Sequence, residues 1–105
     1  MSPIAATPEP PYYAVIFTSV RTGVDDGYEA TAQRMVELAA QQPGFLGLES
    51  AREDVGITVS YWRDLESIKA WKANAEHRIA QERGRASWYS DFITRVCKVE
   101  RAYGK

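Results

Sequence analysis

The stretch Tyr12–Arg21, YYAVIFTSVR, constrains this chain more than any other. It is dense in β-branched and aromatic residues and reads as a strand. Side chains alternate across a strand. Tyr13, Val15 and Phe17 therefore point one way, and Tyr12, Ala14 and Ile16 the other. Both faces are apolar. The segment Val55–Trp62, VGITVSYW, repeats the pattern: Ile57, Val59 and Tyr61 oppose Thr58, Ser60 and Trp62. A sheet of such strands must be covered on both sides. Yet 105 residues make one domain, which buries roughly two-thirds of the surface its unfolded chain exposes. Helices can cover one face. The other, left wet, would exceed the roughly 300–600 Å² apolar patch usual on a monomer. The expected partner is a second copy, so that two sheets face each other in a homodimer.

The remaining elements follow from periodicity and turn chemistry. Gly23, Asp25 and Asp26 make a turn and offer acidic residues to a helix start. Tyr28, Ala32, Met35, Val36 and Ala39 form a helical stripe over Tyr28–Gln42, which Pro43-Gly44 stops. Phe45–Arg52, FLGLESAR, is a strand in which Gly47 points to a bulge or a close backbone approach. The polar turn at Glu53-Asp54 joins it to Val55–Trp62 as an antiparallel hairpin. Asp64 is the expected N-cap of a second helix, with Ile68, Trp71, Ala75 and Ile79 as its stripe, weakening near Gly84. Ser90–Tyr103 is the last strand. The order β-α-β-β-α-β is the α+β, ferredoxin-like arrangement: a four-stranded antiparallel sheet with both helices on one face. Residues 1–11 carry four prolines and read as a flexible tail before a single domain over 12–105.

Composition narrows the chemistry. The chain has one histidine, His77, and one cysteine, Cys97. A structural zinc site needs about four nitrogen or sulfur ligands, so none is expected, nor is an internal disulfide. Net charge is −1, which carries no electrostatic footprint for nucleic acid. No run of about 18 apolar residues and no signal-type leader is present, so a cytoplasmic protein without membrane contact is expected. The glycines do not form a dinucleotide-binding loop.

Asn74, His77, Gln81 and Arg85 share one face if the second helix is continuous, and Trp71 borders it. Such a stripe supplies donors, acceptors and one group titrating near pH ~6.5. It can edge a pocket, with His77 as base or hydrogen-bond partner, or it can be a solvated helix face. Trp88 and Tyr89 bring rigid aromatic surface with polar tips. They can wall an aromatic pocket in which Arg85 meets an anionic group, or plug the end of a barrel. On the strands, Ser50, Arg52, Thr58 and Ser60 can line a polar pocket, bordered by Trp62. Glu49, if it points inward, needs a partner, such as a salt bridge across the dimer. Cys97 is expected to pack as a small hydrophobe.

Three segments, PGFLGLES (43–50), GITVSYW (56–62) and IKAWKANAEHRIAQERGRASWY (68–89), resemble the antibiotic biosynthesis monooxygenase family of dimeric α/β barrels, in a stress-response-like subgroup. The resemblance covers about residues 12–103. It implies a cofactor-independent monooxygenase for a small aromatic or quinol-like compound. In that reading His77, Trp71 and Asn74 are catalytic, and Ser60, Trp62, Gln81, Arg85, Trp88 and Tyr89 bind substrate, with no metal or other cofactor. A non-catalytic ligand-binding dimer is the alternative, and haem degradation a second one. Haem-degrading members that resemble this chain use an Asn on the first strand, a Trp on the second helix and a His beyond it. Trp71 matches that Trp, but Gln81 stands where the His would be, and the Asn position falls near Thr18 or Ser19.

Overall fold

The computed structural model describes residues 2–74 and 87–105. Its elements are β1 (Tyr12–Arg21), α1 (Tyr28–Ala40), β2 (Phe45–Arg52), β3 (Gly56–Trp62), α2 (Leu65–Lys72) and β4 (Tyr89–Val99). The four strands form one sheet in the order β2-β3-β1-β4. All three pairings are antiparallel, so this is the expected ferredoxin-like α+β fold.

The helices choose one face of the two-faced sheet. Ala39 of α1 and Ile68 and Trp71 of α2 pack around Trp62, with Tyr13, Val15 and Phe45 from the sheet beside them. Trp62 is fully buried. Its ring stacks on Trp71 at 6.1 Å and meets Phe45 edge-on at 5.4 Å. Its indole N–H donates to Ser60 Oγ at 2.9 Å, so this large core side chain leaves no buried donor unpaired. Strand alternation then puts Phe17 and Ser19 of β1, Thr58 and Ser60 of β3, and Ser50 and Arg52 of β2 on the helix side.

The opposite face carries Tyr12, Ala14, Ile16, Ile57, Val59 and Tyr61. The leader meets it. The Ala5 amide donates to Glu49 Oε2 at 2.9 Å, and Thr7 Oγ1 shares a 2.9 Å hydrogen bond with Tyr12 Oη. Gly47 makes room for this contact: a Cβ there would stand 2.7 Å from that of Ala5. The strand is also irregular here, with a register shift between Phe45 and Gly47. Glu49 finds its partners within the chain, since Tyr61 Oη also donates to its Oε1 at 2.7 Å.

Some expectations are corrected. Asp25 and Asp26 lie before α1 rather than in its first turn, which carries Glu29; the N-cap is Gly27, without a side-chain bond. The Asp25 carboxylate pairs instead with Arg21 at 3.4 Å, and the Asp26 carbonyl accepts the Trp88 indole N–H. The helix α2 closes at Lys72, because Asn74 N–H reaches back only three residues, to the Trp71 carbonyl, tightening the last turn. Strand β4 ends at Val99 rather than Tyr103. Val99 pairs with Tyr12, and beyond Tyr12 lie two prolines without amide hydrogens. Cys97 is exposed rather than packed, because β4 is an edge strand and Cys97 lies opposite Ala14 on the helix-free face.

Candidate functional site

On the helix side, the end of the sheet away from Trp62 carries an aromatic cluster. Phe17 of β1 meets Tyr89 edge-on at 5.4 Å and Phe92 at 5.5 Å. Tyr28, the first residue of α1, meets Trp88 at 5.6 Å and Tyr89 at 5.9 Å, both edge-on. Edge-to-face pairs at these separations are favoured by the ring quadrupoles. Trp88 is buried and fixed by its bond to the Asp26 carbonyl at 2.9 Å. Phe17, Tyr28, Tyr89 and Phe92 are half-buried, so part of each side chain stays accessible, whereas Trp88 is covered.

Among the described residues, two arginines border the cluster. Arg21 lies over the Tyr28 ring, its Cζ 3.4 Å from the centroid. Its Nε donates to the Trp88 carbonyl at 3.2 Å and its Nη2 to the Val24 carbonyl at 2.9 Å. Arg52 reaches from β2 to β1, where it donates to the Ser19 carbonyl at 3.3 Å and to the Ser19 hydroxyl. Tyr89 Oη donates to Tyr28 Oη at 3.3 Å. Burial, reinforced by that bond, pushes the Tyr89 phenol well up, and the charges of Arg52 and Arg21 only partly oppose this. The fold therefore favours the neutral phenol of Tyr89, which keeps its O–H as a donor. The hydroxyls of Ser50, Thr58 and Ser60 continue the polar surface along β2 and β3, with Ser50 directly opposite Thr58.

The expected site residues divide. Tyr89 lies at the centre of this cluster, with Trp88 behind it. Trp62 and Trp71 are core residues at the other end of the helix face, and Ser60 serves the Trp62 indole. Asn74 is half-buried just beyond α2 rather than on a continuous helix with Trp71. His77, Gln81 and Arg85 lie outside the described residues. Phe17, Tyr28, Phe92, Arg21 and Ser19 were not expected at a site. Their assembly depends on β1 pairing with β4, which are far apart in the chain. Among the described residues, no group of three or more His, Cys, Asp or Glu is placed to hold a metal ion. No described helix is long and apolar enough to cross a membrane.

A four-stranded antiparallel sheet with two helices is the ferredoxin-like α+β architecture, a fold that many functions share. The family model "Antibiotic biosynthesis monooxygenase" matches residues 11–83, and the chain belongs to that family. It is 56% identical over 100 residues to the uncharacterized protein YqjZ of Bacillus subtilis, covering 93% of this chain and 88% of that protein. It is 32% identical over 92 residues to the jasmonate monooxygenase of Pyricularia oryzae, covering 83% of this chain but only 43% of that longer protein. Among solved structures, the fold matches SnoaB, a cofactor-independent oxygenase from Streptomyces nogalater, with a TM-score of 0.76. That match covers 91% of this chain and 100% of SnoaB at 16% identity, a likeness of fold alone.

Proposed function

We propose that this chain is a cofactor-independent monooxygenase for a small aromatic or quinol-like compound, working as a homodimer in the cytoplasm. The observation that carries the reading is the half-buried aromatic cluster of Phe17, Tyr28, Tyr89 and Phe92 beside a row of strand hydroxyls. Such a surface binds a flat ring and supplies hydrogen bonds to its oxygens. Membership of the family and the monooxygenase relative favour oxygen chemistry on the bound ring.

The reaction asks little of the protein. An electron-rich ring with an acidic C–H loses that proton to a base, and the carbanion passes one electron to O₂. The radical pair then combines to a peroxide. Loss of water from it leaves a carbonyl, so that CH₂ and O₂ become C=O and H₂O. Tyr89, whose neutral phenol the fold favours, is suited to turn its single O–H from Tyr28 Oη, 3.3 Å away, to the oxygen on which charge develops. In this reading His77 is the base, Asn74 orients the substrate, Gln81 and Arg85 complete the wall and Tyr89 forms the sheet side, while Trp62 with Ser60, Trp71 and Trp88 act behind it as the packed support.

Oxygen uptake tests this. An electrode measurement with anthrones and reduced quinols is expected to show uptake above the uncatalysed rate. His77→Ala and Tyr89→Phe should each lower it by about 10²-fold, the usual contribution of one acid–base group or one oxyanion donor. Uptake at the uncatalysed rate across a broad phenolic panel refutes the enzyme and leaves a ligand-binding dimer.

The helix-free face favours the homodimer. Ile57 and Ile93 remain 45% and 47% exposed on the side that the helices do not cover. A monomeric mass by light scattering at micromolar concentration refutes it.

A further inference from the structure

Arg52, Gly56 and Ser19 stand in one row across β2, β3 and β1, each paired with the next. Gly56 leaves the middle of the row bare. A Cβ there would fall 2.1 Å from Arg52 Cζ and from Nη2, so the guanidinium lies across β3 only because residue 56 has no side chain. Its far end is tied to Ser19, which is 2% exposed, through the carbonyl at 3.3 Å and the hydroxyl. The arginine is thus rigidly placed, yet Arg52 itself is solvent-exposed.

The two arginines of the site among the described residues differ in what they have left to offer. Arg21 is committed to the Trp88 and Val24 carbonyls, the Asp25 carboxylate and the Tyr28 ring. Arg52 makes no ion pair among the described residues and has bonds only to Ser19. A guanidinium carries five N–H donors in a planar fork, a shape matched by a carboxylate. The row continues to Phe92, which pairs with Ser19, and Phe17 lies two residues back along β1 on the same face. Two residues of strand span about 7 Å, the length of a fused two-ring aromatic.

We propose that Arg52 is an anion anchor: it takes the carboxylate of an aromatic acid whose rings lie against Phe17, Tyr89 and Phe92. This names the substrate class of the oxygenase reading and rests on the same ligand surface. It makes the compound an aromatic carboxylic acid rather than a neutral phenol. It also gives Gly56 and Ser19 roles as positioning residues, one leaving space for the guanidinium and the other holding it.

Binding of 2-naphthoate and 2-naphthamide to the full chain by isothermal titration calorimetry tests the anchor. The two probes share rings and differ in charge. The acid is expected to bind at least about tenfold tighter, the preference that one charge-assisted hydrogen bond confers, and the ratio should fall as salt is raised. Arg52→Gln should bring the ratio to about one, while Arg52→Lys keeps the charge without the fork and should retain part of it. If Arg52→Gln does not fold by circular dichroism, Gly56→Ala serves instead, since it displaces the guanidinium while keeping the charge, and should also lower the ratio. Equal affinity for both probes, a ratio unchanged in the folded variant, or no binding of either at millimolar concentration overturns the proposal. The readout involves no turnover. A charge-dependent ratio without oxygen uptake leaves the anchor standing and removes the oxygenase.

Discussion

Gly27 and Gly44 both adopt positive φ, 73° and 85°, and together they separate backbone strain from packing. A Cβ at Gly27 would meet nothing within 4 Å. At Gly44 it would stand 2.0 Å from Ser67 Oγ and 2.6 Å from Ser67 Cβ. Ser67 cannot easily give way, because it is buried in the first turn of α2 and its amide is bound to Asp64 Oδ1 at 2.8 Å. The Arg63 amide donates to the Gly44 carbonyl at 2.8 Å, holding the two segments together. Alanine at either glycine incurs the left-handed penalty of about 1–2 kcal/mol. Gly44→Ala adds an overpacking cost of about 1–3 kcal/mol. The expected losses are about 1–2 kcal/mol for Gly27→Ala and about 2–5 kcal/mol for Gly44→Ala. Urea unfolding at one protein concentration measures both, and the slope with denaturant should not change. In heating experiments each kcal/mol corresponds to roughly 4–8 °C for a domain of this size. Equal losses at the two positions would refute the packing argument, and no loss at Gly27 would refute the backbone one.

Two pH effects follow from the hydrogen bonds. Burial, then the bond to Glu49, pushes the Tyr61 phenol from 10.0 up to about 12. The fold therefore favours the neutral phenol, and the associated stability is present below pH 10 and is lost as pH rises through about 12. Tyr61→Phe should flatten that alkaline decline in a urea midpoint series; an unchanged slope counts against the assignment. Asp64 behaves oppositely, because its side-chain and backbone hydrogen bonds with Ser67 lower its pKa below 3.8. Its contribution is present above that value and is lost as pH falls below it. Asp64→Asn, which can still cap α2, should remove this acid dependence while keeping most of the helix stability near neutral pH, whereas Asp64→Ala should lose the cap at every pH. Helix content by circular dichroism against pH distinguishes the three chains.

Much of the fold was legible because local signals agreed. The apolar run at Tyr12–Arg21, the alternation at Gly56–Trp62 and the Pro43-Gly44 stop each specify an element without outside help. Gly47 was readable as an irregularity, although not what approaches it. The ends of α2 and β4 were less legible. Alternation can be continued on paper past Val99, because it carries no information about where the partner strand ends, and it gives no sign of the turn at Ala73 and Asn74 that closes α2. The site was legible only in part. Ser50, Thr58 and Arg52 could be put on one face from alternation alone. The meeting of Phe17 with Tyr89, and of Arg52 with Ser19, depends on registers between segments 33 and more residues apart.

By itself the sequence determined the order of elements, the need to cover two apolar sheet faces, and the shortage of metal ligands that a single histidine and cysteine impose. The tertiary structure alone decided which face the helices take. Both faces of β1 are apolar, so hydropathy cannot choose between Tyr13-Val15-Phe17 and Tyr12-Ala14-Ile16. The choice falls to Trp62, whose bulk fills the space under Ala39, Ile68 and Trp71 and whose indole N–H finds Ser60 there. Once that side chain is seated, strand alternation carries Phe17, Ser19 and Arg52 to the helix side and leaves Tyr12 and Glu49 to meet Thr7 and Ala5, with Tyr61 bonded to Glu49.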